Sequence, residues 1–184
     1  MNHKHLAEPT VSTEKIFEGK IISLYVDTVT LPNGKQATRE IVHHPGAVAV
    51  LALTEKDRVI LVRQFRKPCD RTLVEIPAGK LEPGEDPAEC AKRELLEETG
   101  YTAKEWRHLH SMYTSPGFAD EKIHLYLAKG LTKGQQELDA DEFLDLMEAD
   151  MAEAERLLAS GEIADAKTMV ALYWWMKERA KAEK

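Results

Sequence analysis

The hydrophobic positions change period along the chain, and each change marks an element. Residues 21–31 are strand-like, break at Pro32-Asn33-Gly34, and give way to a second strand-like run over 35–42. Asn-Gly supplies the positive φ of a tight turn, so an N-terminal β-hairpin is predicted. Two apolar runs follow, AVAVLAL at 47–53 and a shorter one at 59–62, separated by Glu55-Lys56-Asp57-Arg58. Both are expected to pair as central antiparallel strands. A short strand at 73–76 then leads into Pro77-Ala78-Gly79.

Past Gly79 the period turns helical. Asp86 reads as the N-cap, Pro87 as the first helical residue, and Glu89 stands three after the cap, where it can reach back. Gly100 is the matching stop. Ala88, Ala91 and Leu95 share a side that can face a core. Strand patterns return near 107–113, 123–127 and 143–147, divided by the loops TSPGFADE and TKGQQELDADE. Helices at 151–160 and 165–181, punctuated by Gly161, close the chain. Many strands around one well-capped helix predict an α/β protein with mixed or antiparallel pairing rather than a βαβ repeat. Nothing marks a boundary, so one domain is expected over 1–184, with the hairpin in 1–45 and a core in 46–184.

Composition narrows the class. The chain has 184 residues, 43% hydrophobic and 31% charged, with a formal charge of -7. That balance gives no basic stripe for nucleic acid or an anionic membrane. The start lacks the apolar core of a signal peptide, and no run reaches the ~18 apolar residues of a membrane span. Cys69 and Cys90 stand in no metal or redox spacing. A cytoplasmic protein is expected.

The predicted helix carries an electrostatic misfit. Glu94, Glu97 and Glu98 crowd its last turn, where like charges three and four apart repel and each opposes the helix dipole. Two readings are open. One is a solvated face, with Lys92 and Arg93 as ion-pair partners. The other is a hard divalent cation held by Glu94 and Glu98, with waters and substrate phosphates completing its shell.

The spacing around the helix bears on that choice. Gly79, five residues, Glu85, seven residues, then Arg93-Glu94-Leu95-Leu96-Glu97-Glu98-Thr99-Gly100 resembles the Nudix box, with Tyr101 at a position usually aliphatic. The resemblance implies an α/β/α sandwich with a mixed sheet and an N-terminal antiparallel hairpin. It also implies Mg²⁺ or Mn²⁺ bound by Glu94 and Glu98, with Glu97 nearby and the Ala78 carbonyl as a further ligand, and Arg93 with Glu85 fixing helix to loop.

Over nearly the whole chain the sequence is similar to the ADP-ribose pyrophosphatases. Ser115-Pro116-Gly117 matches a turn that marks ADP-ribose selectivity there. Arg66 matches a phosphate-contacting arginine, and a planar fork of donors suits a pyrophosphate. Arg39 follows as the candidate for the adenine, by stacking. His43 and His44 are expected to be structural or exposed. A loop glutamate serves those enzymes as base or metal contact, which places Glu142 in that role with Asp139 and Asp141 as neighbours. The implied reaction is ADP-ribose plus water giving AMP and ribose 5-phosphate, carried out by a homodimer. Another nucleotide sugar or dinucleotide as substrate, and a non-catalytic sensor, are the alternatives. At the far end Trp174 and Trp175 are adjacent and cannot both face one core.

Overall fold

The computed structural model describes residues 3–138 and 142–182, and the chain divides into two compact units. The first comprises residues 1–46 and 113–122. Its sheet has three antiparallel strands in the order β1 (Thr10–Glu18), β2 (Ser23–Thr30) and β3 (Gln36–His43). The predicted hairpin is β2–β3, paired from Ser23↔His43 to Thr30↔Gln36. Its turn is the expected Pro32-Asn33-Gly34, closed by the Leu31 amide on the Lys35 carbonyl. Only Gly34 takes positive φ (81°), while the Gly34 amide donates to the Leu31 carbonyl and Asn33 Oδ1 accepts from the Lys35 amide. Pro32 at the second position of that turn favours the three-residue loop. β1 has no counterpart among the predicted strands: its residues are all exposed, and no buried face gives it a period.

The second unit holds residues 47–112 and 123–184. One sheet is mixed, in the order β7 (Ala78–Lys80), β4 (Ala47–Ala52), β9 (Lys122–Lys133), β8 (Tyr101–Tyr113), with β4 and β9 parallel from Ala47↔Ile123 to Ala52↔Ala128. The other is antiparallel, in the order β10 (Leu144–Ala149), β5 (Val59–Arg66), β6 (Arg71–Glu75). Here a sequence expectation fails: β4 and β5 do not run as paired neighbours. They touch through the single bridge Leu53↔Val59 and diverge into different sheets. β4 and the first half of β5 are buried on both faces, and such apolar runs carry no period to name their partners.

Three helices complete the unit: α1 (Pro87–Thr99), α2 (Met151–Ser160) and α3 (Ala166–Ala182). Alternation along β4 splits the core into two layers. Val48, Val50 and Ala52 face Cys90, Ala91 and Leu95 of α1, while Ala49, Leu51 and Leu53 face Leu157 of α2 and Leu172 and Trp175 of α3. This is the expected α/β/α sandwich. The two tryptophans part as the sequence implies: Trp175 is buried, whereas Trp174 is half-buried with the Arg107 guanidinium 4.9 Å from its ring centre. Asp57, in the β4–β5 turn at φ 53°, accepts from Trp175 Nε1 at 3.0 Å and pairs with Arg179, tying α3 to that turn. No helix among the described residues is long and apolar enough to cross a membrane.

At the start of α1, Asp86 Oδ1 accepts from the Ala88 amide at 2.8 Å and more weakly from that of Glu89, as the cap pattern predicts; the Glu89 carboxylate pairs forward with Lys92. Asp86→Ala removes the acceptor and should lower stability by about 1 kcal/mol, read as a lower urea midpoint at unchanged slope.

Candidate metal and catalytic site

α1 lies over β7, and one close approach defines their contact. A Cβ built on Gly79 would stand 1.8 Å from Glu94 Cδ and 1.9 and 2.1 Å from its two oxygens. The Glu94 carboxylate fills the space that any other side chain at 79 would need. One turn on, Glu98 is 3% exposed and accepts from the Ala78 amide at 2.9 Å. Two carboxylates one turn apart are thus buried against the backbone of 78–79.

Burial disfavours their charge. It pushes Glu98 up to about 8, against the Ala78 N–H and Arg66, and the nearby carboxylates Glu94 and Glu142 push the same way. Burial also raises Glu94; Arg93 opposes the shift and the charges of Glu97 and Glu142 add to it. Arg93 is the counterweight. Its Nε and Nη2 grip Glu85 Oε1 and Oε2 at 2.9 and 3.0 Å, while Nη1 donates to Glu94 at 2.8 Å and to Glu97 at 2.9 Å. The forked bond holds the Glu85 carboxyl down at about 2. Burial drives the Cys90 thiol up to about 12, so this cysteine is a packing group and no nucleophile.

These residues fit a hard divalent cation. The donors are oxygens, the carboxylates are buried with excess like charge, and the glycine leaves one of them its place. Among the described residues no group of three or more His, Cys, Asp or Glu side chains is set as a ready-made cage, and the Glu97 carboxylate turns to Arg93. Two carboxylates with waters and phosphates completing the shell is the arrangement Mg²⁺ commonly takes.

The loop after β9 was missed as a structural part of the site. The Gly134 amide donates to the Gly100 carbonyl at 2.7 Å, the Glu137 amide to that of Glu97 at 3.0 Å, and Gln136 Nε2 to that of Glu98 at 2.5 Å. It thereby satisfies carbonyls that a helix end leaves open. Gly100 takes φ 71°, and a Cβ there would come within 2.8 Å of the Gln136 nitrogen, a constraint the sequence signalled only as a helix stop. The same segment leads to Glu142, whose charge reaches Glu94 and Glu98. Glu142 lines a cavity of about 510 Å³ with Arg63, Phe65, Leu138 and the exposed Phe143. Asp139 and Asp141 lie outside the described residues.

Arg66 closes β5 and is forked onto the buried Glu75, Nε to Oε1 at 2.7 Å and Nη2 to Oε2 at 2.8 Å. The other predicted residues belong to the first unit. Arg39 on β3 grips Glu8 through Nε and Nη2 at 2.8 and 2.7 Å. Ser115, Pro116 and Gly117 form a turn closed by the Phe118 and Ala119 amides on the Ser115 carbonyl. Its far end is strapped to β3 by the bonds of Val42 to Phe118 and Asp120. Asp120 also takes His43 Nδ1 at 2.5 Å and the His44 backbone amide at 2.8 Å, and His44 Nδ1 accepts from the Gly46 amide at 3.0 Å, the structural role expected of both histidines.

A NUDIX domain matches residues 42–172, more than half of the chain. The chain belongs to the Nudix family. A nucleoside diphosphate sugar hydrolase N-terminal domain matches residues 8–42 ahead of the Nudix domain. This Nudix protein is 55% identical over 184 residues to the ADP-ribose pyrophosphatase of Bacillus subtilis (strain 168), covering 98% of this chain and 100% of that one. It is 51% identical over 179 residues to the methanol dehydrogenase activator of Bacillus methanolicus, covering 96% and 97%. Among solved structures, an ADP compounds hydrolase superposes with a TM-score of 0.82 at 22% identity over 96% of this chain and 95% of that one, a likeness of fold.

A buried carboxyl whose folded value is raised holds its proton longer in the folded chain than in the unfolded one. For Glu98 that contribution is present below the ordinary carboxylate range and is lost as pH rises toward about 8. Metal-free Glu98→Gln keeps an acceptor for the Ala78 amide and does not titrate. Its melting temperature should exceed that of the wild type at pH 8, with the gap closing toward pH 5; calorimetry in a chelator checks this.

Proposed function

We propose that this Nudix protein hydrolyses the pyrophosphate bond of ADP-ribose, water and ADP-ribose giving AMP and ribose 5-phosphate. The observation that carries the reading is the pair of buried carboxylates, Glu94 and Glu98, packed on Gly79 with the charge of Glu142 close by. Glu94 and Glu98 would hold Mg²⁺, or Mn²⁺ in its place, with the Ala78 carbonyl as a further ligand. When bound, the ion supplies positive charge to the phosphates and acidity to a bound water.

The chain's own groups supply the rest. Glu142 accepts the proton of the attacking water and orients it. Arg66, forked on Glu75, keeps its Nη1 edge outside that pair and turns it to the phosphates. Arg93 fixes α1 to the loop through Glu85 and holds Glu97 beside the two ligands. Arg39 and the turn at Ser115, Pro116 and Gly117 select the nucleotide sugar; both are anchored to β3, Arg39 as part of it and the turn through Val42.

The working form is a homodimer. In the first unit only Val29 is a buried hydrophobic residue among those described, while Val11, Ile16 and Phe17 of β1 are exposed, and a three-stranded sheet of this kind gains by covering such side chains. We treat the 184 residues as one functional domain, with 1–45 contributing to that interface. Two free cysteines agree with a cytoplasmic setting. A broader substrate range is the second reading, favoured by the nucleoside diphosphate sugar hydrolase match at 8–42.

With Mg²⁺ the purified protein should release AMP from ADP-ribose, and kcat/KM across ADP-ribose, ADP-glucose, diadenosine polyphosphates and NADH should be highest for ADP-ribose. Equal efficiency on all four would refute selectivity by the Pro116 turn; no AMP at any Mg²⁺ or Mn²⁺ concentration would leave a nucleotide-binding sensor. Glu142→Gln should lower kcat by about 10² or more with KM little changed. Wild-type turnover in that variant would remove Glu142 as the base.

A further inference from the structure

The Arg66–Glu75 pair does not stand alone. Glu75 is 1% exposed, and its Oε2, which already takes Arg66 Nη2, also takes Lys167 Nζ from the first turn of α3. Lys167 is itself nearly buried and bonds Asp165 Oδ1 at 2.8 Å. Asp165 Oδ1 also takes the Thr168 amide at 3.1 Å, while its Oδ2 is buried with no hydrogen-bond partner among the described residues; Lys167 thus serves two carboxylates at once. The set is electrically closed: Arg66 and Lys167 against Glu75 and Asp165. It is also tied to the metal-binding loop. Thr168, the next residue and fully buried, accepts from the Ile76 amide at 3.0 Å, two residues before the Ala78 amide that holds Glu98.

The consequence concerns Arg66. A carboxylate shared by an arginine fork and a lysine is held from two separate elements, because the lysine bond from α3 fixes it against the fold independently of the fork. A carboxylate gripped by the fork alone can turn with it. We infer that Lys167, braced by Asp165, is a positioning residue: it locks the Glu75 carboxylate and so aims the free edge of Arg66 at the phosphates of the bound nucleotide. The inference rests on the reading of Arg66 as a phosphate ligand. It gives α3, far along the chain from the Nudix box, a part in substrate alignment beyond packing. Loss of a lysine that balances two buried carboxylates also unbalances the core. Lys167→Met is therefore paired with the charge-balanced Asp165→Asn/Lys167→Met, which removes one charge of each sign.

Two measurements test it. In steady-state kinetics on ADP-ribose, each variant should raise KM by about tenfold in the wild-type background and by little in an Arg66→Ala background. A fold-loss of equal size in both backgrounds overturns the inference. The second readout needs no activity. The Arg66 Nε–H signal in an arginine side-chain nitrogen–proton spectrum, assigned by its disappearance in Arg66→Lys, should be sharp in the wild-type protein. It should shift or broaden in Asp165→Asn/Lys167→Met. An unmoved signal overturns the inference whatever the kinetics show, and if the wild-type protein releases no AMP, this spectrum alone decides while the proposed reaction fails separately.

Discussion

Everything at the site depends on how closely a helix can approach a strand. With no side chain at 79, α1 settles until the Glu94 carboxylate occupies the missing Cβ's place, and Glu98 follows it down onto the Ala78 amide. Their depth raises their affinity for protons and, by the same physics, for a cation, since both relieve charge that water no longer solvates. The spacing of the box residues follows from this geometry. Glu85 must come back far enough from Gly79 to meet Arg93, whose fork is anchored there and whose remaining nitrogen steadies Glu94 and Glu97.

Local signals in the sequence led to much of this. Asp86-Pro87 and Gly100 bounded α1 to the residue, and the strict spacing from Gly79 through Glu98 named the side chains that meet. Elements whose partners lie far away were harder. AVAVLAL and the run at 59–62 are apolar on both faces, so nothing in them distinguishes a hairpin from two strands of separate sheets. The three-residue β7 is too short to show a period, and β1 buries nothing that could impose one. Arg66 was legible as a cation near the box. Its partner Glu75 was not, because a glutamate at the end of a short strand looks like any solvated residue until the fold buries it.

The site spreads its charges over several elements. Arg93 neutralises from within α1, Arg66 from the end of β5, and Lys167 from α3, each against a carboxylate whose burial makes its partner indispensable. The loop at 134–137 adds uncharged donors to the same helix end. It bonds the carbonyls of Glu97, Glu98 and Gly100, so residues 134–137 are fixed to the helix end that carries the two buried carboxylates.

The tie between Asp57 and α3 bears on how the chain reaches this state during synthesis. Strands β4, β5 and β6 leave the ribosome early, yet Leu172 and Trp175 complete the core against them, Thr168 receives the Ile76 amide, and Trp175 with Arg179 holds the Asp57 carboxylate. Those partners belong to α3, which is made well after the strands it covers. The nascent chain therefore carries the apolar runs at 47–53 and 59–62 with one side of the core uncovered until α3 has been made, an interval in which exposed apolar strands are prone to aggregate.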